Sequence, residues 1–196
     1  MKPGTLSVTR TRKITTDDIL DAAERVVVRS GAAGLSIDAV AKEAGVSKSR
    51  VVYDHKTKSA LLEALVDRRV GADVAHMQEC VKAAADTPHP ELYGRIASAD
   101  KTLDDTDRAV AMAISASMSS EENLQQIIRR WVVDDLAAMA AGPKPRAALM
   151  AYLTLTGFYC TELFDFHRWS GPERQELLED IRKVYTTFTE PPQTKT

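Results

Sequence analysis

The stretch 37–61 reads IDAVAKEAGVSKSRVVYDHKTKSAL. Within it Ala41, Gly45, Val46 and Ser47 stand at the spacing of a helix-turn-helix. A small side chain at 41 lets two helices approach. Glycine at 45 permits the positive φ of a tight turn, and Val46 fills the space between the helices. Ser36 and Ser47 are N-cap residue types, each placed ahead of a short helical run. The second helix opens Ser47-Lys48-Ser49-Arg50. Its free backbone N–H groups favour phosphate, and helices of this motif enter the major groove by that end. A plain helical hairpin shares the alanine–glycine spacing, but caps, short helices and basic residues together favour a nucleic-acid-binding reading.

Working toward the N-terminus, Ile19, Leu20, Ala23, Val26 and Val27 recur at helical spacing from a Thr15/Asp18 capping pattern until Gly31. Residues 1–13 lack apolar periodicity and carry Arg10, Arg12 and Lys13, which reads as a flexible basic arm. Toward the C-terminus, Thr57 caps a fourth helix that runs to about Asp86, where Pro88-His89-Pro90 breaks it and His89 reads as a loop residue. Further helices are expected over 91–99 and 104–118. Ser119 and Glu122 form a capping pattern ahead of Leu124, Ile127, Ile128, Trp131 and Val132. Gly142-Pro143-Lys144-Pro145 then separates this helix from a long apolar one over 146–169, and Ser170-Gly171-Pro172 opens the last. No period-two strand and no internal repeat is visible. The expected fold is all-α: the arm, a three-helix DNA-binding domain with the helix-turn-helix over 14–60, and a larger helical ligand-binding and dimerisation domain over 61–196.

The 196 residues are 44% hydrophobic and 28% charged, which suits a soluble globular chain with a substantial core. The net charge of −2 conceals an asymmetry. Residues 1–60 carry 11 Lys and Arg against 7 Asp and Glu, and residues 61–196 carry 15 against 21. A basic head on an acidic body is the pattern of local nucleic-acid contact, although chance unevenness gives it as readily. Cys80 and Cys160, the only cysteines, are expected as thiols. No signal-peptide core is visible, and the apolar stretch 147–161 falls short of the ~20 residues a membrane helix needs, so a cytoplasmic protein without a membrane partner is expected. The chain carries no HExxH, GxSxG, phosphate loop or cysteine-pair motif, and His55, His76, His89 and His167 lie scattered. Neither enzyme activity, metal nor cofactor is expected.

Ile19-Leu20-Asp21-Ala22-Ala23, Gly34-Leu35-Ser36-Ile37, residues 39–48 and Lys58-Ser59-Ala60-Leu61-Leu62 resemble the first four helices of the tetracycline-repressor family. The resemblance covers roughly residues 14–65. It implies Ser36 and Ser47 on phosphates, Arg50 near base edges and Lys58 on the DNA backbone, and the full candidate set is Ser36, Ser47, Lys48, Ser49, Arg50, Tyr53 and Lys58. Two positions depart from the family pattern: Val52 stands where a tyrosine is usual, and His55 where a phenylalanine is usual. Tyr53 lies one residue off that register and is a substitute from a rotated face. Asp54 is able to accept from cytosine N4, but a solvated cap or a salt bridge to a neighbour is the commoner fate of such a charge.

In the body, the helix over 146–169 is apolar almost all round and the last helix carries a stripe. Leu149, Leu153, Leu177, Ile181, Val184 and Phe188 are therefore the expected faces of an isologous homodimer, against the alternative of a monomeric core. Met77, Met112, Met118, Trp131, Phe158 and Tyr159 are candidate walls of an effector pocket, though each alone is more often plain core. Glu162 joins them as a carboxylate on an apolar helix, as Asp165 does less centrally. A buried carboxylate needs a partner, with Arg129 or Arg130 favoured over a cationic ligand. The expected function is a ligand-responsive regulator, a repressor that binds a pseudo-palindromic double-stranded operator as a homodimer and is released by a small apolar or amphipathic effector. The alternative is a helical DNA-binding or interaction module without an effector. An internal cavity favours the first, a solid core the second.

Overall fold

The computed structural model describes residues 14–118 and 121–190, and among these it has nine helices and no strand. They are α1 (Thr16–Gly34), α2 (Ile37–Ala44), α3 (Lys48–Asp54), α4 (Lys58–Ala83), α5 (Pro90–Ser98), α6 (Asp105–Ser117), α7 (Glu122–Ala140), α8 (Pro145–Leu163) and α9 (Gly171–Thr187). The arm over 1–13 and Ser119 of the expected capping pattern lie outside the described residues.

Side-chain caps fix the starts of the first four helices. Thr15 and Asp18 form a reciprocal capping box, with the Asp18 N–H donating to Thr15 Oγ1 at 3.1 Å and the Thr15 N–H donating to Asp18 Oδ2 at 2.8 Å. Ser36, Ser47 and Thr57 each accept a backbone N–H from three residues on. Gly45 ends α2 in the left-handed region at φ +67°, where a side chain is disfavoured. Gly31 does not end α1; at φ +62° it kinks the helix, which resumes as far as Gly34. Asp104 and Asp107 form a further capping box at α6 that the sequence reading passed over.

Three expectations in the body need correction. α8 ends at Leu163, six residues before Trp169. The chain reverses through Asp165 at φ +54°, and the Trp169 indole N–H returns to donate to Thr161 Oγ1 at 3.0 Å. His89 is a buried cap, not a loop residue: its Nδ1 accepts the Leu92 N–H at 3.2 Å and its Nε2 lies 3.3 Å from the Met139 carbonyl. Glu162 meets neither Arg129 nor Arg130 but Arg174 of α9, whose Nε donates to it at 2.8 Å. That guanidinium also donates to the carbonyls of Ala99, of Asp100 at 2.8 Å and of Lys101 at 3.1 Å, tying α8, α9 and the α5–α6 loop together. Asp165 stays exposed and pairs with Arg168 at 2.6 Å.

Two hydrophobic cores result. Ile19, Leu35, Val40, Val51, Leu61 and Leu65 lie in the first, joined by Val110 and Ala113 of α6 and Leu124 of α7. The second unites Leu92 and Ile96 of α5, Met139 of α7, Ala148, Ala151 and Leu155 of α8, and Leu178, Ile181 and Tyr185 of α9. The three-helix head thus does not close on itself, because the body's α6 and α7 complete its core. α4 and α5 approach closely at Gly94, where a Cβ would stand 2.5 Å from Val81 Cα.

Candidate functional site

The helix-turn-helix leaves a polar face made by the start of α2 and by α3. Val51 is buried against the first core, so the outward side of α3 carries Lys48, Ser49, Val52 and Tyr53. Ser47 and Ser49 share a hydroxyl–hydroxyl hydrogen bond at 2.9 Å, and the Lys48 ammonium pairs with Asp38 of α2 at 2.9 Å, both ends exposed. Tyr53 is 83% exposed, an unusual position for an aromatic ring. Lys58 points back toward α1, where its ammonium donates to the Ala32 carbonyl at 2.8 Å beyond the Gly31 kink. Ser36 occupies its own side chain in capping α2.

Arg50 is held on several sides. Its guanidinium pairs with Asp54 at 2.7 Å, donates to the Ile14 carbonyl at 3.4 Å and lies 5.9 Å from the Tyr53 ring centre. Asp54 in turn accepts from the Thr16 hydroxyl of α1 at 3.0 Å. Burial works to raise the Asp54 carboxyl, but the hydrogen bonds from Arg50 and Thr16 outweigh it and hold the group below the usual carboxylate range. Sequence reasoning anticipated a salt bridge at Asp54 but missed Thr16 and Ile14, which come from another element. The residue after Asp54 is also unusual. His55 is 7% exposed and its Nε2 has no hydrogen-bond partner among the described residues. Burial depresses its pKa, with the Asp54 charge partly opposing.

The body contains a cavity of about 640 Å³ between α4, α5, α7 and α8. Val70, Val74, Met77, Leu103, Trp131 and Leu155 give it apolar walls, and Tyr152 and Tyr159 bring phenols. Of the expected wall residues, Met77, Trp131 and Tyr159 line it. Four do not: Met112 is 53% exposed, Met118 packs against the first core, Phe158 is buried in the second under Arg174 and Trp169, and Glu162 turns its Oε1 to Arg174. The sequence reading missed the polar lining. Arg95 bridges Asp135 at 2.6 Å and Glu91 at 2.6 Å, Lys101 pairs with Asp73 at 3.2 Å, and the Tyr152 hydroxyl donates to Asp135 at 3.0 Å. Burial and then the Asp135 charge push Tyr152 up to about 12; burial and then Asp73 do the same to Tyr159. Both phenols are therefore neutral hydrogen-bond donors at any ordinary pH. Among the described residues no group of His, Cys, Asp and Glu is placed to hold a metal ion.

Of the expected dimer residues, Leu153 is 49% exposed, and Leu149, Leu177, Val184 and Phe188 are half-buried at the surface of α8 and α9. Ile181 is corrected: at 3% exposure it lies inside the chain's own core, because α9 turns that side toward α5 and α8. No helix among the described residues is long and apolar enough to cross a membrane.

Two family models match the chain in order. The model of the bacterial regulatory proteins of the tetR family matches residues 19–65, and that of the tetracyclin repressor-like C-terminal domain matches residues 95–186. No curated protein matches. Among solved structures, a proposed transcriptional regulator from Pseudomonas aeruginosa PAO1 superposes with a TM-score of 0.71 at 16% identity, covering 91% of this chain and 96% of its own. A transcriptional regulator from Rhodococcus sp. RHA1 gives 0.70 at 19% identity, covering 88% and 97%. The multidrug binding protein EbrR, complexed with imidazole, gives 0.63 at 23% identity, covering 84% and 88%. These likenesses establish the fold alone. With the head matched by one model of the family and the body by the other, the chain belongs to the tetracycline-repressor family of DNA-binding, helix-turn-helix transcriptional regulators.

Proposed function

We propose that this regulator is a cytoplasmic repressor that holds a pseudo-palindromic operator as a homodimer and is released by a small apolar or amphipathic effector. The observation that carries the reading is the course of α4. Its first turns place Leu61, Leu62, Leu65 and Val66 in the core of the reading head, and the next turns place Val70, Val74 and Met77 on the cavity wall. A molecule that fills the cavity pushes on the same rigid rod that seats α1–α3. Its preference for one rod position then becomes a coupling energy between the sites, typically 1–3 kcal/mol and equal in both directions. The mixed lining suits an amphipath: flat apolar walls, neutral phenol donors and paired charges able to re-pair. EbrR, of the same fold, is a multidrug binding protein solved with imidazole and with proflavin.

Lys48, Ser49, Arg50 and Tyr53 are proposed to face DNA, with Ser36, Ser47 and Lys58 near its backbone. The exposed Leu153 with Leu149, Leu177, Val184 and Phe188 is proposed to meet a second copy, in the C2 arrangement commonest for oligomers. Proflavin is a suitable first probe. Its binding is followed by quenching of Trp131 emission, and DNA release by fluorescence anisotropy of a duplex selected from a random library. Binding with unchanged DNA affinity, across proflavin and a panel of neutral amphipaths, would remove the effector from this reading. Leu153→Glu is expected to yield a particle of one 21.5 kDa chain by light scattering and to weaken DNA binding with it.

A further inference from the structure

We infer that Asp54 is a positioning residue for DNA recognition: anchored by Thr16, it holds the Arg50 guanidinium ready to read one base pair in each half-site. The inference rests on the proposed entry of α3 into the major groove. It goes beyond that reading by assigning specificity to a residue that, as a carboxylate facing a polyanion, would otherwise only weaken binding.

Its basis is the difference between this ion pair and the ordinary ones on the surface. In the Arg182–Glu179 and Lys183–Asp180 pairs the partner carboxylates are 54% and 56% exposed. Exposed pairs of this kind hold little. Asp54 has only 9% of its side chain exposed, and its second oxygen accepts from Thr16 on a different helix. The brace therefore comes from α1, not from α3 itself. Arg50 remains a third exposed on the rim of a surface groove shared with Ile14, Thr16, Val46, Ser47 and Tyr53.

A guanidinium has five N–H donors. Asp54 engages Nη1 and the Ile14 carbonyl engages Nη2, which leaves further N–H groups for the bidentate pairing with guanine O6 and N7. A free arginine loses side-chain rotamer freedom when it docks. One already held in place loses less, and what it gains is angular selectivity rather than charge. Charge neutralisation gives the idea a distinctive signature. Removing the Asp54 charge should leave binding to arbitrary DNA unchanged or tighter, because a repulsion with phosphate disappears, while discrimination falls.

The test uses the full chain and duplexes selected from a randomised library. Wild type is expected to enrich a two-fold motif, and Arg50→Ala to lose preference at one base pair per half-site. Asp54→Asn should lose preference at that same pair by roughly tenfold, while scrambled duplex is bound as tightly as by wild type or more so. Thr16→Val, which removes only the anchoring hydroxyl, should give the same loss in smaller measure, and it serves if Asp54→Asn does not fold. The inference is overturned if both variants keep the Arg50-dependent preference, if the affected pair differs from that of Arg50, or if both duplexes weaken equally. No enriched motif with wild type would instead overturn the DNA-reading proposal beneath it.

Discussion

α1, α2, α3 and α4 each begin at a side chain that caps its own first turn, whereas α7 and α8 begin at Glu121 and Lys144 without one. α8 finds its substitute far along the chain, where Glu190 accepts the Ala147 N–H at 2.7 Å. The charged groups do not follow this division. In the reading head Arg50 meets Asp54 four residues on, but Asp54 is anchored by Thr16 from 38 residues away, and in the body Arg174 reaches back to Glu162 and to the carbonyls of residues 99–101. Helix starts in the head are therefore set locally, while both regions are held together by contacts between residues far apart in the chain.

Breaking the body's distant contacts should have the largest effect. Arg174→Met leaves Glu162 buried and unpaired along with three carbonyls, and loss of one partner of a buried pair costs about 3–5 kcal/mol. Urea unfolding followed by Trp169 emission should show it. A loss below about 1 kcal/mol would mean that water replaces the guanidinium and that the pair is no keystone.

His55→Phe should raise stability. The orphaned Nε2 sits in the head, and replacing the ring by an apolar one removes a desolvation cost of about 1–3 kcal/mol. The pH dependence has a definite sign. Burial depresses the folded pKa below its usual 6.5, so the unfolded chain takes up a proton first as pH falls. Protonating His55 therefore costs the fold nothing above about pH 6.5, and stability is lost as pH drops through the folded value. Thermal melts at pH 7.5 and pH 5 should therefore separate wild type more than His55→Phe; equal separation would show that His55 does not titrate in this way.

Gly45→Ala comes next. The residue stands at φ +67° with nothing near its missing Cβ, so the cost is backbone alone, about 1–2 kcal/mol. Since the turn sets the angle between α2 and α3, DNA affinity should fall by more than the melt implies. The smallest effect on stability belongs to Lys48→Ala. Its pair with Asp38 is exposed at both ends, and removing such a pair shifts stability by well under 1 kcal/mol. DNA binding should nevertheless weaken on operator and scrambled duplex alike, with a flatter salt dependence. A variant that weakens on one duplex only would place Lys48 on a base.

What was legible in the amino-acid sequence is the part that short-range chemistry controls. Thr15, Ser36, Ser47 and Thr57 announce helix starts because a cap acts within three residues, and Gly45 announces a turn because its φ is a property of one residue. The same local logic placed Arg50 and Tyr53 on one short helix. Tertiary structure decided the rest. An apolar stripe on α9 states that a face will be buried but not against what, and so Ile181 went to the chain's own core while Leu153 on α8 stayed open. Met77, Trp131 and Tyr159 reached the cavity and Met112 and Phe158 did not, because helix rotation, not residue type, selects which side chains border a void. Glu162 found Arg174, and Asp54 found Thr16, through pairings 12 and 38 residues apart. Periodicity is blind to such distances, since it records the direction of a side chain from its own helix axis and carries no information about where the next axis lies.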